Sequence, residues 1–317
     1  MQGLAAFVMR GRFQALLVTV AGAGSLMFCW ISAAVIALVT LRKGASAGGW
    51  LFLWALLPSG TLLYVFGDSG PLALLAGTMF LALVLRNTVS LSLAILASVA
   101  VGSVTGLALM AFGGEYLDQI VIYFGEFLAA LEQQLSQGDT PVVLPRPNAL
   151  QIAGMLGAGT ALTSVLCLLL GRYWQAALYN PGGFGGEFKS LFYPATVSMA
   201  LAVGAIALSS LGMAYRTWAI ICLVPLTFAG LALVHARAEA RGQGKGWLTG
   251  FYVAWLFFDP VKLLVVFAAI ADSWFNFRQR WAVQSGSSVS VDSEHDKKDE
   301  GIEQDEQDQN EQDQDKH

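Results

Sequence analysis

Charge is scarce in this chain: Asp, Glu, Lys and Arg make up only 13% of its 317 residues, while 56% are hydrophobic and the mean hydropathy is +0.59. Soluble domains average about 25% charged residues, so this balance excludes an ordinary water-soluble globule and indicates a polytopic membrane protein. Cysteine is nearly lacking. Cys29, Cys167 and Cys222 each sit in an apolar run, which excludes a disulfide framework and a cysteine-spaced zinc site and leaves them as small packing residues. Of three histidines only His235 lies in the apolar body, so neither a His-rich metal site nor a Ser-His-Asp arrangement can be built. No metal, cofactor or nucleic-acid partner is expected. Without a convergent set of polar groups, the chain is not expected to be an enzyme.

The formal net charge of -4 averages two different regions. Residues 291–317 carry 12 acidic and 3 basic side chains, leaving 10 acidic and 15 basic in residues 1–290. From residue 283 onward the chain is Ser-rich and then rich in Gln, Asp and Glu. It cannot bury enough apolar surface to offset its ordering entropy, so 283–317 reads as an acidic disordered tail beyond a transmembrane domain at 1–282.

A span needs about 20 apolar residues to cross a hydrocarbon core of roughly 30 Å. Six stretches qualify, near 48–66, 70–85, 88–112, 149–171, 191–212 and 215–235. Two others, 13–41 and 247–276, are long for one span and short for two. Each contains a break: Gly22, Gly24 and Ser25 in the first, Asp259 followed by Pro260 in the second. The expected fold is therefore all-α, a bundle of about six full spans with broken or hairpin helices at each end.

Charge parity supports that count. If both ambiguous stretches enter and leave on one side, Arg10, Arg12, Arg42, Lys43, Arg86, Arg172, Lys189, Arg237, Arg241, Lys245, Arg278 and Arg280 share one face, and only Arg146 and Arg216 oppose them. By the positive-inside rule that face is cytoplasmic, which puts both termini there in a bacterial inner membrane. An N-terminal signal peptide cut near Val20 to Ala23 is a weaker reading, because apolar sequence continues without a hydrophilic gap.

The 113–148 segment then lies outside. Leu117, Ile120, Phe124, Leu128, Leu131 and Leu135 recur at three- and four-residue steps, predicting an amphipathic helix that lies on the membrane, caps the bundle or acts as a substrate lid. Pro141, Pro145 and Pro147 stiffen its return.

The most distinctive run is the cytoplasmic loop 172–190. Arg172, Tyr173, Trp174 and Tyr179 suit an interfacial collar, and Asn180, Pro181, Gly182, Gly183 and Phe184 a turn that presents Glu187 and Lys189. Its glycine spacing matches neither GxGxxG nor GxxxxGK, so a phosphate-binding loop is disfavoured against a partner-docking loop. Asp259 and Lys262, three residues apart, either pair at a membrane-depth contact for an ion, proton or substrate or sit at a hairpin tip near water. Asp272 and Arg278 read as parts of an interfacial anchor, too far apart to be adjacent on one turn. Gly102 to Gly106, and Gly154, Gly157, Ala158 and Gly159, read as close-packing faces.

Residues 172–191 (RYWQAALYNPGGFGGEFKSL) and 271–280 (ADSWFNFRQR) resemble the YybS-like family of uncharacterised bacterial integral membrane proteins. The likeness covers roughly residues 8–282 and rests on the Trp-Gln-Ala and Asn-Pro-Gly-Gly-Phe order and on Asp272, Trp274 and Arg278. That family is distantly similar in membrane organisation to the S components of energy-coupling-factor vitamin transporters and to the rod-shape protein MreD. The resemblance implies a compact bundle of about six helices with a ligand cavity reached from outside. It implies no substrate, activity or catalytic residue, and the acidic tail lies outside the family pattern.

Two functions follow as expectations: a small-molecule binding and transport component, or a scaffold that recruits a membrane-protein partner through residues 172–190. For transport, Asn87, Thr88, Ser90, Ser92, Ser103, Thr105, Thr160, Thr163 and Ser164 are the candidates to line a cavity. Deleting residues 285–317 is expected to leave membrane integration unchanged, measured as the fraction resisting alkaline carbonate extraction. Loss of the deleted protein from that fraction would show that the tail belongs to the folded body.

Overall fold

The computed structural model describes residues 2–136, 142–278, 280 and 281; the acidic tail and residues 137–141 lie outside the described residues. Every regular element among the described residues is helical. In order they are α1 (Gln2–Arg10), α2 (Arg12–Ala23), α3 (Cys29–Lys43), α4 (Ala45–Phe66), α5 (Gly70–Thr88), α6 (Leu91–Leu96) and α7 (Ser98–Phe112). They continue with α8 (Gly114–Leu135), α9 (Ala149–Tyr179), α10 (Gly183–Lys189), α11 (Ala195–Ser210), α12 (Arg216–Ala240), α13 (Lys245–Phe257) and α14 (Asp259–Phe275).

Among the described residues five helices are long and apolar enough to cross a membrane, or six if the bent pair α13 and α14 counts as one span: α4, α5, α6 with α7, α9, and α12 with the 3-10 turn before it. The stretch predicted at 191–212 is shorter as a helix. Pro194 sets its start, so α11 has 16 residues and rises about 24 Å at 1.5 Å per residue. The preceding segment is held instead by Ser92, whose carbonyl accepts from the Tyr193 side-chain Oη at 3.0 Å and whose Oγ accepts from the Phe192 backbone N at 3.4 Å.

Both ambiguous stretches are broken where the sequence marks them. The first is a hairpin of α2 and α3, in which Ser32 Oγ donates to the Thr19 carbonyl at 2.7 Å across the pair. Lys43 Nζ returns to within 3.5 Å of the Met9 carbonyl, so the stretch leaves at the end where it entered. In the second, α13 and α14 are bent by 112° at Phe258, where Pro260 cannot donate back into the preceding turn.

Contacts collect the basic residues at one end of the bundle. Arg42 lies 4.0 Å over the Tyr179 ring, and Arg86 Nη1 donates to the Thr40 and Leu41 carbonyls at 3.2 and 2.9 Å, satisfying the C-terminus of α3. Arg172, Lys189 and Arg278 meet partners at the same end. The opposite end holds Asp68, the start of α8 and the start of α9.

Helix α9 stands at the centre. Ala161, Val165 and Leu168 join one buried cluster with α5, α6, α7, α12 and α14, whereas Cys167 and Trp174 join the other with α1 to α5. Backbone contact makes this packing possible: a Cβ at Gly157 would sit 2.5 Å from the Gly102 carbonyl oxygen, so the two small-residue faces read in the sequence pack against each other. A Cβ at Gly230 would sit 2.1 Å from the Val265 carbonyl oxygen, where α14 crosses α12.

Gly230→Ala is therefore expected to destabilise the bundle by about 1–3 kcal/mol through overpacking against backbone that cannot yield. Gly159→Ala, facing open space within 4 Å, is expected to be neutral or slightly stabilising. Thermal unfolding of both variants in detergent checks the contrast, and equal melting points would remove the role assigned to the α12–α14 crossing.

Candidate functional site

Residues 172–190 form less of a loop than the sequence suggests. Helix α9 runs on to Tyr179, so Arg172 to Tyr179 are its last two turns. Asn180 ends it, Gly182 takes φ +86° in the turn after Pro181, and α10 follows at once. The collar reading is corrected for Trp174, which is 1% exposed and packs inside the bundle among α1 to α5. Periodicity explains this: Gly171 and Trp174 continue the buried face of α9 that carries Ser164, Cys167 and Leu168.

The run also folds onto itself. Arg172 Nη2 lies 2.7 Å from Glu187 Oε2, joining α9 to α10. The Phe184 ring lies 5.9 Å from Tyr173 and 6.0 Å from Phe188, and Phe188 lies 5.6 Å from His235. His235 Nε2 in turn contacts Tyr252 Oη at 2.8 Å, tying α12 to α13.

Asp272 and Arg278 do meet, contrary to the sequence reading. Helix α14 ends at Phe275, and Asn276 adopts a left-handed conformation at φ 48°, ψ 56° that turns the chain back. Phe277 N then donates to Asp272 Oδ1 at 2.9 Å and Arg278 Nε to Asp272 Oδ2 at 3.1 Å. Asp272 is 2% exposed. Arg278 also donates through Nη1 to the Lys189 carbonyl and through Nη2 to the Ala229 carbonyl at 3.3 Å, while the Lys189 ammonium contacts Glu239. Burial pushes the Arg278 guanidinium below its ordinary pKa, and Asp272 opposes that shift. The 172–191 and 271–280 runs are thus joined in space by one guanidinium. Asp259 and Lys262 form a 2.8 Å pair with the carboxylate 87% exposed from the protein.

These groups tie the basic end together through side chains that are paired with one another. A cavity of about 1040 Å³ lies at the other end between α4, α5, α7 and the start of α8. Leu63, Leu72, Ala73, Ala76, Val101, Val104 and Leu109 supply apolar wall, and Tyr64, Phe66, Phe80, Phe112 and Tyr116 supply ring faces. Ser69, Thr105, Glu115 and Gln119 add polar groups.

Local structure opens this space. The buried residues of α4 are Gly48, Leu51, Ala55 and Ser59, and beyond Ser59 the helix leaves the bundle. Pro58 removes a hydrogen-bond donor at that point, which permits a bend. At the mouth, Asp68 Oδ1 accepts from Gly70 N at 2.8 Å and from Tyr116 Oη at 3.3 Å, fastening α8 beside the α4–α5 turn. Burial and the Asp68 charge push the Tyr116 hydroxyl up to about 12, so it stays a neutral donor at physiological pH.

Of the polar residues proposed from sequence to line a cavity, Thr105 does so. Ser92 Oγ accepts from Phe192 N, Ser90 caps α6, and Thr88, Thr160 and Thr163 bond back to their own helices. Ser164 Oγ is buried beside Gly77 at the α5–α9 contact. The cavity residues of α4 and α5 were missed. Pro58 inside an apolar run and Asp68 at its end were the available signals.

No family model, no curated protein and no solved structure matches the chain.

Replacing Asp272 with Ala strands Arg278 in a buried setting and is expected to cost about 3–5 kcal/mol, whereas Asp259→Ala removes an open surface pair worth about 0.5 kcal/mol. Chemical unfolding of the two variants in mixed micelles measures both. Comparable small losses would mean that Arg278 finds another partner.

Proposed function

We propose that this membrane protein binds a small, mainly apolar molecule in the cavity between α4, α5, α7 and α8, as the capture step of transport. The observation that carries this reading is the cavity itself: about 1040 Å³, with apolar walls and a few polar groups, at or above the usual ligand-pocket range of about 300–1,000 Å³. Its place at the end opposite the basic residues supports entry from outside the cell, given the positive-inside rule and a bacterial inner membrane. The resemblance of residues 172–191 and 271–280 to the YybS-like family, and through it to vitamin-binding S components, agrees with such a cavity.

A scaffold role for residues 172–190 has less support. Trp174 is buried, Arg172 and Glu187 are paired with each other, and Phe184 packs on Tyr173 and Phe188, so the side chains best suited to anchor a partner are already engaged.

Native mass spectrometry of protein released gently from membranes is expected to show a retained small molecule. Ala76→Trp, which places an indole in the cavity, is expected to remove it without changing helical content by circular dichroism. Wild-type protein that carries nothing, or an adduct equally retained by the variant, would overturn the reading.

A further inference from the structure

The lining of the cavity has a charge asymmetry. Among the described residues Glu115 is its one carboxylate, and no Lys, Arg or His lines it. Glu115 is exposed, and Asp68 stands beside it, bonded to the neighbouring Tyr116. Asp118 follows one turn along α8, on the same helical side as Glu115. Arg146, just before α9, and Arg216, at the start of α12, do not reach the lining. Arg146 contacts Glu132, which lies 17 residues from Glu115 along α8, about 25 Å at 1.5 Å per residue.

An anionic head placed at this mouth would meet uncompensated negative charge. A cationic head would meet Glu115 directly, with Asp68 and Asp118 adding to the field. The ring faces of Tyr64, Phe66 and Phe112 favour the same sign, since aromatic faces attract cations. The remainder of the cavity is hydrocarbon-lined, and Tyr64, Val104 and Phe112 are among its most exposed residues, so its opening is rimmed by apolar and aromatic side chains of the kind that face lipid. An occupant would leave its chain among apolar walls and its head at the level of Glu115.

Resting on the binding reading above, we propose that the ligand is a cationic amphiphile taken from the membrane: a molecule with an alkyl or ring body and an amine or quaternary ammonium head held by Glu115. The carboxylate supplies the charge-assisted contact, Gln119 and the Tyr116 hydroxyl supply neutral polar contacts, and the α4–α5–α7 walls hold the body. No bond is made or broken.

The test compares three diazirine-bearing decyl probes of equal length, ending in an amine, an alcohol and a carboxylate, on the full chain in dodecyl maltoside. Photolabelled peptides are mapped by mass spectrometry. The amine probe is expected to label peptides covering 63–80 and 100–119 at least about tenfold more strongly than the carboxylate probe, the order of one charge-assisted contact. Glu115→Gln is expected to abolish that preference and Glu115→Asp to keep most of it. Equal labelling by all three probes, or a preference that survives Glu115→Gln, overturns the cationic ligand while leaving the binding cavity in place. Absence of labelling by any probe, or labelling unaffected by Ala76→Trp, overturns the cavity reading itself.

Discussion

The close backbone approach of α9 to its neighbours is the constraint on which the bundle depends. Lipid tails are as apolar as leucine, so burial gives little drive for helices to associate in a bilayer; contact distance does the work instead. Gly157 admits the Gly102 carbonyl of α7, and Gly171 admits the Ala34 carbonyl of α3, at separations no side chain would allow. With α7 and α3 seated this way, α5 and α12 fill the remaining sides. At 31 residues, α9 is about 46 Å long, well beyond a hydrocarbon core of roughly 30 Å. Its ends therefore reach past the apolar layer and organise both faces of the protein. One end is fixed by a capping box of Asn148 and Gln151; the other carries the 172–179 run.

The two faces are built on opposite principles. At the basic end, charges are consumed internally: Arg278 ties α14 to the backbone of α10 and α12, Arg172 ties α9 to α10, and Arg86 closes α3. The Arg278 and Arg86 ties join elements far apart in sequence, while Arg172 ties two consecutive helices. At the other end the helices diverge. Helix α4 has no buried residue after Ser59, and α8 buries only Leu117. A cavity is the geometric result of one end being clamped and the other left splayed.

Much of this was legible in the sequence, and the failures have identifiable causes. The broken ends at Gly22 to Ser25 and at Asp259-Pro260 could be read because glycine clusters and proline act locally. The sorting of Lys and Arg followed from charge parity alone. The Asp272–Arg278 pair escaped because six residues of continuous helix would separate the two; a left-handed Asn276 removes that separation, and Asn at a helix C-terminus was the signal for it. Trp174 was misplaced because aromatic residues beside an Arg imitate an interfacial collar, and only continuing the buried period of α9 past Gly171 distinguishes the two. The cavity escaped because no segment contains it: its walls come from four helices, and its volume from the direction in which α4 departs.

Access to that cavity then rests on α8. Little apolar surface holds this helix to the bundle; its ends are held by polar contacts in water. Near its start, Tyr116 bonds to Asp68. Near its end, Glu132 Oε1 accepts from Leu144 N at 2.7 Å and its other oxygen faces Arg146 at 3.5 Å, so the returning segment is strapped to the helix before it enters α9. Exposed hydrogen bonds contribute about 1 kcal/mol each and open readily, whereas the glycine contacts of α9 offer no alternative arrangement. The element that carries Glu115, Tyr116 and Gln119 into the cavity wall is thus held to the bundle by one buried side chain and by polar contacts near its two ends.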